Sequence, residues 1–331
     1  MMTEPRPNEL PAALTPLGSG PTSGLRDRRP PLRGARLHRP TTTHRRRVRW
    51  SPARGTEHPG TLAVRTLGSA GPPIVLLHGL PSSGRFWGAD YDALAASGRL
   101  VVPDLLGFGR SPRPTGGYGP DEHADAVAAT LRGATVGNAP ALVVGHSVGA
   151  LVALRLAVRH PSLVAGVIGF GPPIYRDYSE ARHHLAHLGP LARLFGLDTR
   201  WAELACTLLC QHHRRTAARL AARLRPDLPA ALSADAVEHS WESFSETLAR
   251  VVLAADAARW LDQIDVPVRV IAGSDDPLAD IPFLEELAQR HAGLDLAVWP
   301  DAGHDLPLTD PTACRAEIEH VLAHVATRDA A

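Results

Sequence analysis

Lysine is absent from this chain, and all 35 of its basic residues are arginine. With abundant Ala, Gly and Pro, that absence points to the codon bias of a GC-rich genome and says little about chemistry. Cysteine is scarce. Cys206, Cys210 and Cys314 are too few and too unevenly spaced for a disulfide framework, which suits a reducing, cytoplasmic compartment. No run approaches the ~18 apolar residues of a membrane span, so a soluble protein without a membrane partner is expected. The formal net charge is only +1, which excludes a chain that is basic as a whole. That figure hides an asymmetry. Residues 1–55 hold twelve Arg against Glu4, Glu9 and Asp27, a net of +9, so the remainder carries −8. The mildly acidic remainder has no feature that calls for nucleic acid.

The first 55 residues also lack apolar periodicity. Rich in Pro, Arg, Thr and Gly, they cannot bury enough surface to offset ordering entropy and are expected to form a solvated tail. An upstream start codon that lengthens the chain would leave the same signature. The cluster His44-Arg45-Arg46-Arg47-Val48-Arg49 is followed by no apolar stretch of the length a signal peptide needs, so export is not expected.

From about residue 56 the pattern changes to short β-rich runs alternating with helical ones, the signature of a mostly parallel sheet covered by helices. Strands are expected at Thr61–Thr66, Pro73–Leu77, Leu100–Val102, Ala141–Val144, Leu163–Phe170, Val266–Ala272 and Asp295–Trp299. Helices are expected at Ala124–Leu131, from Val148 to about Arg159, and at Pro311–Ala326. Between Gly171 and Leu261 strand signals are missing, and Leu191–Phe195, Trp201–Leu209 and Thr216–Leu224 carry helical spacing. A helical insertion between two parallel strands belongs over the carboxyl edge of the sheet, where ligands bind. The expected organisation is therefore one domain over 56–331 with a helical cap at about 173–260.

The segment Gly145-His146-Ser147-Val148-Gly149 joins an apolar strand to an apolar helix. A serine hydroxyl becomes a useful nucleophile when it projects into a site and a base can reach it. A sharp strand-to-helix turn achieves that projection by straining the serine backbone, and glycine on both sides avoids collision across the turn. The turn also sets Ser147 at a helix N-terminus, whose free amides favour developing negative charge. The Val148 N–H is then a natural oxyanion donor.

Three further motifs give the sequence its resemblance to the α/β-hydrolase superfamily over about residues 60–325. His78-Gly79-Leu80-Pro81 follows an apolar strand, and the resemblance implies that the Leu80 N–H is the second oxyanion donor. His78 itself is expected to be structural. Pro103-Asp104-Leu105-Leu106-Gly107-Phe108-Gly109-Arg110-Ser111 matches the superfamily's D-x-x-G-x-G-x-S loop, in which Asp104 organises the sheet edge. Gly273-Ser274-Asp275-Asp276-Pro277 then puts the triad acid at Asp276, with Asp275 beside it, and Gly303-His304 supplies the base ahead of the last helix. The alternative acid position one strand earlier, Gly171-Pro172-Pro173-Ile174-Tyr175, carries no carboxylate.

The resemblance thus implies a serine hydrolase in which His304 takes the Ser147 proton and Asp276 orients the imidazole, with no metal or organic cofactor. A small, largely apolar ester, lactone or related acyl compound is the expected substrate. The loop at 78–87 is similar to those of epoxide hydrolases and haloalkane dehalogenases, but both use an aspartate nucleophile where this chain has Ser147. Perhydrolases of the haloperoxidase type and carbon–carbon bond hydrolases remain alternatives on the same fold, and a non-catalytic ligand-binding homologue is the alternative outside it. Phe86, Trp87, Phe170 and Tyr175 come from carboxyl-edge loops and are candidate pocket residues. Trp241, Phe244 and Trp260 suit cap-to-core packing, and His183, His184 and His187 suit the cap surface. Cys206, Cys210, His212 and His213 suggest a metal site, but free buried Cys is common and no second ligand pair is evident, so no metal is expected.

Overall fold

The computed structural model describes residues 62–133, 139–187, 200–224, 226 and 228–328; the predicted tail and the Leu191–Phe195 run lie outside them. Seven strands form one sheet: β1 (Val64–Leu67), β2 (Pro73–Leu77), β3 (Arg99–Pro103), β4 (Ala141–His146), β5 (Val164–Phe170), β6 (Val268–Gly273) and β7 (Leu294–Trp299). Their order is β1-β3-β2-β4-β5-β6-β7; β1 runs antiparallel to β3 and every other pairing is parallel. This matches the expected fold class. The strand boundaries differ from the sequence reading by a few residues at most.

Both sheet faces are buried, so successive strand residues enter different cores. Val75, Leu77, Val101 and Val143 join one cluster, while Ile74, Leu76, Leu100, Val102, Leu142 and Val144 join the other. Helices α1 (Pro120–Arg132) and α2 (Val148–Arg159) cover the first face. The second face is covered by a 3₁₀ run, Ala89–Ala96, and by the C-terminal helix Pro311–Arg328. Helix α1 begins four residues before the sequence pattern suggested, because Gly119 ends the preceding loop and Pro120 sits in the first turn, where a missing N–H costs nothing.

Between β5 and β6 the described residues form helices and turns, with one isolated bridge from His239 to Phe108. They comprise α3 (Tyr178–His187), α4 (Arg200–Cys206), a π-helical turn (Thr207–His212), α5 (Arg214–Leu224), α6 (Ala230–Asp235), α7 (Trp241–Thr247), a second π turn (Leu248–Leu253) and α8 (Ala257–Leu261). Trp241 packs in a small separate cluster with Ala202, Cys206, Cys210, Ala217 and Val237. Trp260 joins the main core instead. After β6 comes α9 (Ile281–Arg290), which the periodicity reading passed over, though Asp280 caps it and Pro282 lies in its first turn. Among the described residues no helix is long and apolar enough to cross a membrane.

Candidate active site

Ser147 is the joint between β4 and α2, and its backbone is strained, with φ 54° and ψ −121°. The neighbouring packing enforces this. A Cβ at Gly145 would lie 2.3 Å from the Gly149 backbone, and one at Gly149 would lie 2.4 Å from the Leu77 carbonyl oxygen. No side chain fits either position. Ser147 N donates to Phe170 O at 2.9 Å, so the elbow is also tied to the end of β5.

His304 and Asp276 arrive from two adjacent turns beyond β7 and β6. His304 Nδ1 lies 2.9 Å from Asp276 Oδ2, and Leu278 N donates to Asp276 Oδ1 at 2.8 Å. The Asp276 side chain is completely buried, while the imidazole keeps 19% exposure. A carboxylate held by two donors in this way fixes the Nδ1–H tautomer and leaves Nε2 as the free base. The two turns are lashed together. Asp275 N donates to Ala302 O, Ser274 N to Trp299 O, and Asp301 N to Ser274 Oγ, each at 2.9 Å. Asp275 itself is exposed.

The turn 78–80 runs beside the serine: a Cβ on Gly79 would lie 2.9 Å from Ser147 Cβ. Leu80 is half-buried, and Val148 opens α2, where backbone N–H groups lack helical partners. His78 is fully buried and bridges two backbones. Leu105 N donates to its Nε2 at 2.8 Å, so Nδ1 carries the proton and donates to Gly79 O at 2.9 Å. Burial lowers its pKa, keeping it neutral and structural. Asp104 is likewise a loop organiser, accepting from Gly84 N at 2.7 Å and Arg110 N at 2.9 Å.

Among the described residues no hydrogen bond joins Ser147 Oγ to the His304 ring; the bonds that hold His304 are those to Asp276 and His146. Serine–base contacts are commonly loose until substrate closes them.

Two residues of the site were missed by the sequence reading. Gly171 has φ +54°, and a Cβ there would lie 3.0 Å from Asp276 Oδ2 and 3.2 Å from His304 Nδ1. It forms the floor under the acid–base pair. His146 donates from Nε2 to the His304 carbonyl at 3.0 Å, and its ring stacks on Phe86 with centroids 4.4 Å apart. Burial, aided by His304, pushes the His146 pKa down to about 3. A neutral ring beside His304 adds no competing charge.

The candidate pocket residues separate. Trp87 and Phe170 are fully buried in the core facing the C-terminal helix. Phe86 backs His146. Tyr175 donates to Leu278 O at 2.8 Å and stacks on His184 at 4.9 Å, fastening the acid turn to α3. His184 Nδ1 lies 3.2 Å from Pro277 O, so this histidine faces the acid turn and not open cap surface.

The family profile described as "Alpha/beta hydrolase family" matches residues 74–317. A protein of Caulobacter sp. (strain K31), provisionally named carbamate hydrolase RutD, is 29% identical over 258 residues, which is 76% of this chain and 90% of that protein. Lipase LipV of Mycobacterium tuberculosis (strain ATCC 25618 / H37Rv) is 38% identical over 122 residues. That match spans 37% of this chain and only 45% of LipV, well under two thirds of its length. Among solved structures, an esterase from Rhodococcus sp. ECU1013 is 26% identical with a TM-score of 0.59, covering 80% of this chain and 95% of its own.

Proposed function

The chain belongs to the alpha/beta hydrolase family, and from that premise we propose that it is a serine hydrolase cleaving a small, largely apolar ester, lactone or related acyl compound. The observation that carries the reading is the strained backbone of Ser147 between two glycines that admit no side chain. Such strain costs about 1–3 kcal/mol and persists only where the surroundings over-determine it. Here the over-determining surroundings are the backbones that face Gly145 and Gly149. A binding protein would have no need of a strained serine beside a buried Asp276–His304 pair.

In the proposed reaction His304 Nε2 takes the Ser147 hydroxyl proton, because Nδ1 is committed to Asp276. Ser147 Oγ then attacks the acyl carbon, and the carbonyl oxygen becomes an oxyanion held by the Leu80 and Val148 N–H groups. Losing one such donor typically costs ~2.7–4 kcal/mol of transition-state stabilisation. The imidazolium returns its proton to the leaving oxygen as the acyl–oxygen bond breaks. Water, deprotonated by His304, attacks the acyl-enzyme and frees Ser147. Asp276 stays ionised throughout and stabilises the imidazolium. Side chains, backbone and water move every proton and electron pair, so the reaction calls on no cofactor. A cytoplasmic setting belongs to the same proposal, since Cys206, Cys210 and Cys314 are all unpaired and buried.

The test is a panel of esters and lactones with acyl length varied, assayed under pre-steady-state conditions. Turnover is expected, with the acyclic esters giving a burst of alcohol of one equivalent per Ser147. Folded protein that turns over no ester or lactone would overturn the proposal.

A further inference from the structure

The cap carries a second cluster of reactive side chains, distant in role from the triad. Cys206 ends α4, Cys210 lies in the following π-helical turn, and His239 comes from the link between α6 and α7. All three are buried, and their donor atoms lie within 4.8 Å of one another. The i, i+4 spacing brings both thiols to one side of the helix. His212 and His213, the neighbours in sequence, are exposed and lie outside the cluster; His239, a residue distant in sequence, takes their place, where no metal was expected from the sequence.

His239 has too little to hold it there. Its side chain packs by Phe108 and Phe244, with ring centroids at 6.2 and 5.3 Å. Its Nδ1 is buried without a partner among the described residues, and the ring's polar contacts are to the thiols, Cys206 Sγ at 3.4 Å from Nε2 and Cys210 beside it. Buried imidazoles normally satisfy both nitrogens, so this ring is under-rewarded as a core residue.

We propose that Cys206, Cys210 and His239 form a binding site for a thiophilic d¹⁰ metal ion, zinc(II) or copper(I). Two thiolates and an imidazole are the soft donor set that selects these ions. The spacing suits them too. An ion bonded to sulfur at about 2.3 Å and to nitrogen at about 2.0 Å, with a near-tetrahedral angle, separates the two donors by about 3.5 Å. The observed Cys206–His239 separation is 3.4 Å. Arg214 donates from Nε to the Cys210 carbonyl at 3.0 Å, bringing a guanidinium near Cys210, where its charge would offset part of the negative charge left by two thiolates on copper(I).

The site would act as a clamp and not as a catalyst. Glu238 O, next to His239, accepts from Gly109 N at 3.0 Å and from Arg113 Nη2 at 3.1 Å. An ion would therefore tie α4 and the π turn, through His239, to the loop at the carboxyl edge of the sheet.

The full-length protein, reduced and stripped with a chelator, should be titrated with zinc(II) against a chromophoric chelator and, anaerobically, with copper(I) against bicinchoninate. One equivalent of at least one ion is expected, with a rise in melting temperature on loading. The ion retained distinguishes the two chemistries. Cys210→Ser and His239→Gln should each bind more than about 100-fold more weakly, beyond the loss typical of outer-sphere changes. His212→Ala and His213→Ala should bind as wild type. X-ray absorption of loaded wild type should report two sulfur scatterers and an imidazole, a readout that needs no variant to fold. Binding of neither ion, retention by the Cys206→Ser/Cys210→Ser double variant, or a metal edge without sulfur scattering would each overturn the site.

Discussion

The sheet-borne site and the cap are held by different physics. Around Ser147 the constraint is steric and local: a Cβ at Gly145 or Gly149 would lie 2.3–2.4 Å from backbone, and short turns after β6 and β7 are cross-linked by backbone hydrogen bonds. The cap packs on the main core through side chains such as Val251, Val252, Ala257 and Trp260, and polar side chains add further ties. Ser83 Oγ donates to Asp235 Oδ2 at 2.7 Å, Arg85 pairs with Asp235 at 3.2 Å, and Glu246 accepts from Gly117 N and Tyr118 N at 3.2 Å. Backbone packing fixes the Ser147 turn, whereas side-chain contacts hold the cap.

The largest effect should come from breaking the sheet side. Gly145→Ala is expected to cost about 4 kcal/mol or more, because the clash is with backbone and nothing nearby can give; chemical denaturation measures it, and a near-wild-type midpoint would deny the steric account. Asp276→Asn should next lower kcat by ~10³–10⁴ with the fold intact, as loss of the tautomer-fixing carboxylate does elsewhere. Asp275→Asn should stay near wild type in the same assay, and the reverse ranking would move the acid. Gly171→Ala should fall between them, since its Cβ would press on both Asp276 and His304 and the φ of +54° strains any side chain.

The two regions should also answer pH with opposite signs. Burial pushes the pKa values of His123 and His146 down to about 3 and lowers that of His78. The unfolded chain takes up these protons near pH 6.5 and the native state does not, so this stability is full above about 6.5 and is lost as pH falls toward 3. In the cap, burial dominates over the Ser83 and Arg85 contacts and pushes the Asp235 pKa up to about 6. That raised value favours the protonated native form, so its contribution is present below about pH 4 and lost as pH rises through 6. Melting curves of Asp235→Asn should therefore gain on wild type between pH 4 and pH 8. A constant difference across that range would refute the assignment. The same variant should shift KM a few-fold more than kcat, the smallest effect expected here.

The contrast between regions also governs what could be read from sequence. Ser147, Asp276 and His304 stand at strand ends with local punctuation, so spacing and strand order sufficed to nominate them. Helix α9 was readable too, from Asp280 and Pro282 and from apolar residues at 281, 284, 287 and 288 that share one face. Gly171, His146 and His239 were not readable in role, because each acts through a neighbour far along the chain. The burial of Trp87 and Phe170 was not readable either, because side-chain direction at a strand end depends on the opposing helix. Cap geometry is almost wholly tertiary, and periodicity there gave helices without an arrangement.

The central claim is that Ser147 is the nucleophile. Intact-mass analysis after treatment with a fluorophosphonate measures it most directly. Wild type should gain a single phosphonyl group that peptide mapping finds on Ser147, and Ser147→Ala should gain none while melting as wild type. Equal labelling of the two proteins, or an adduct mapped to another residue, would contradict the account.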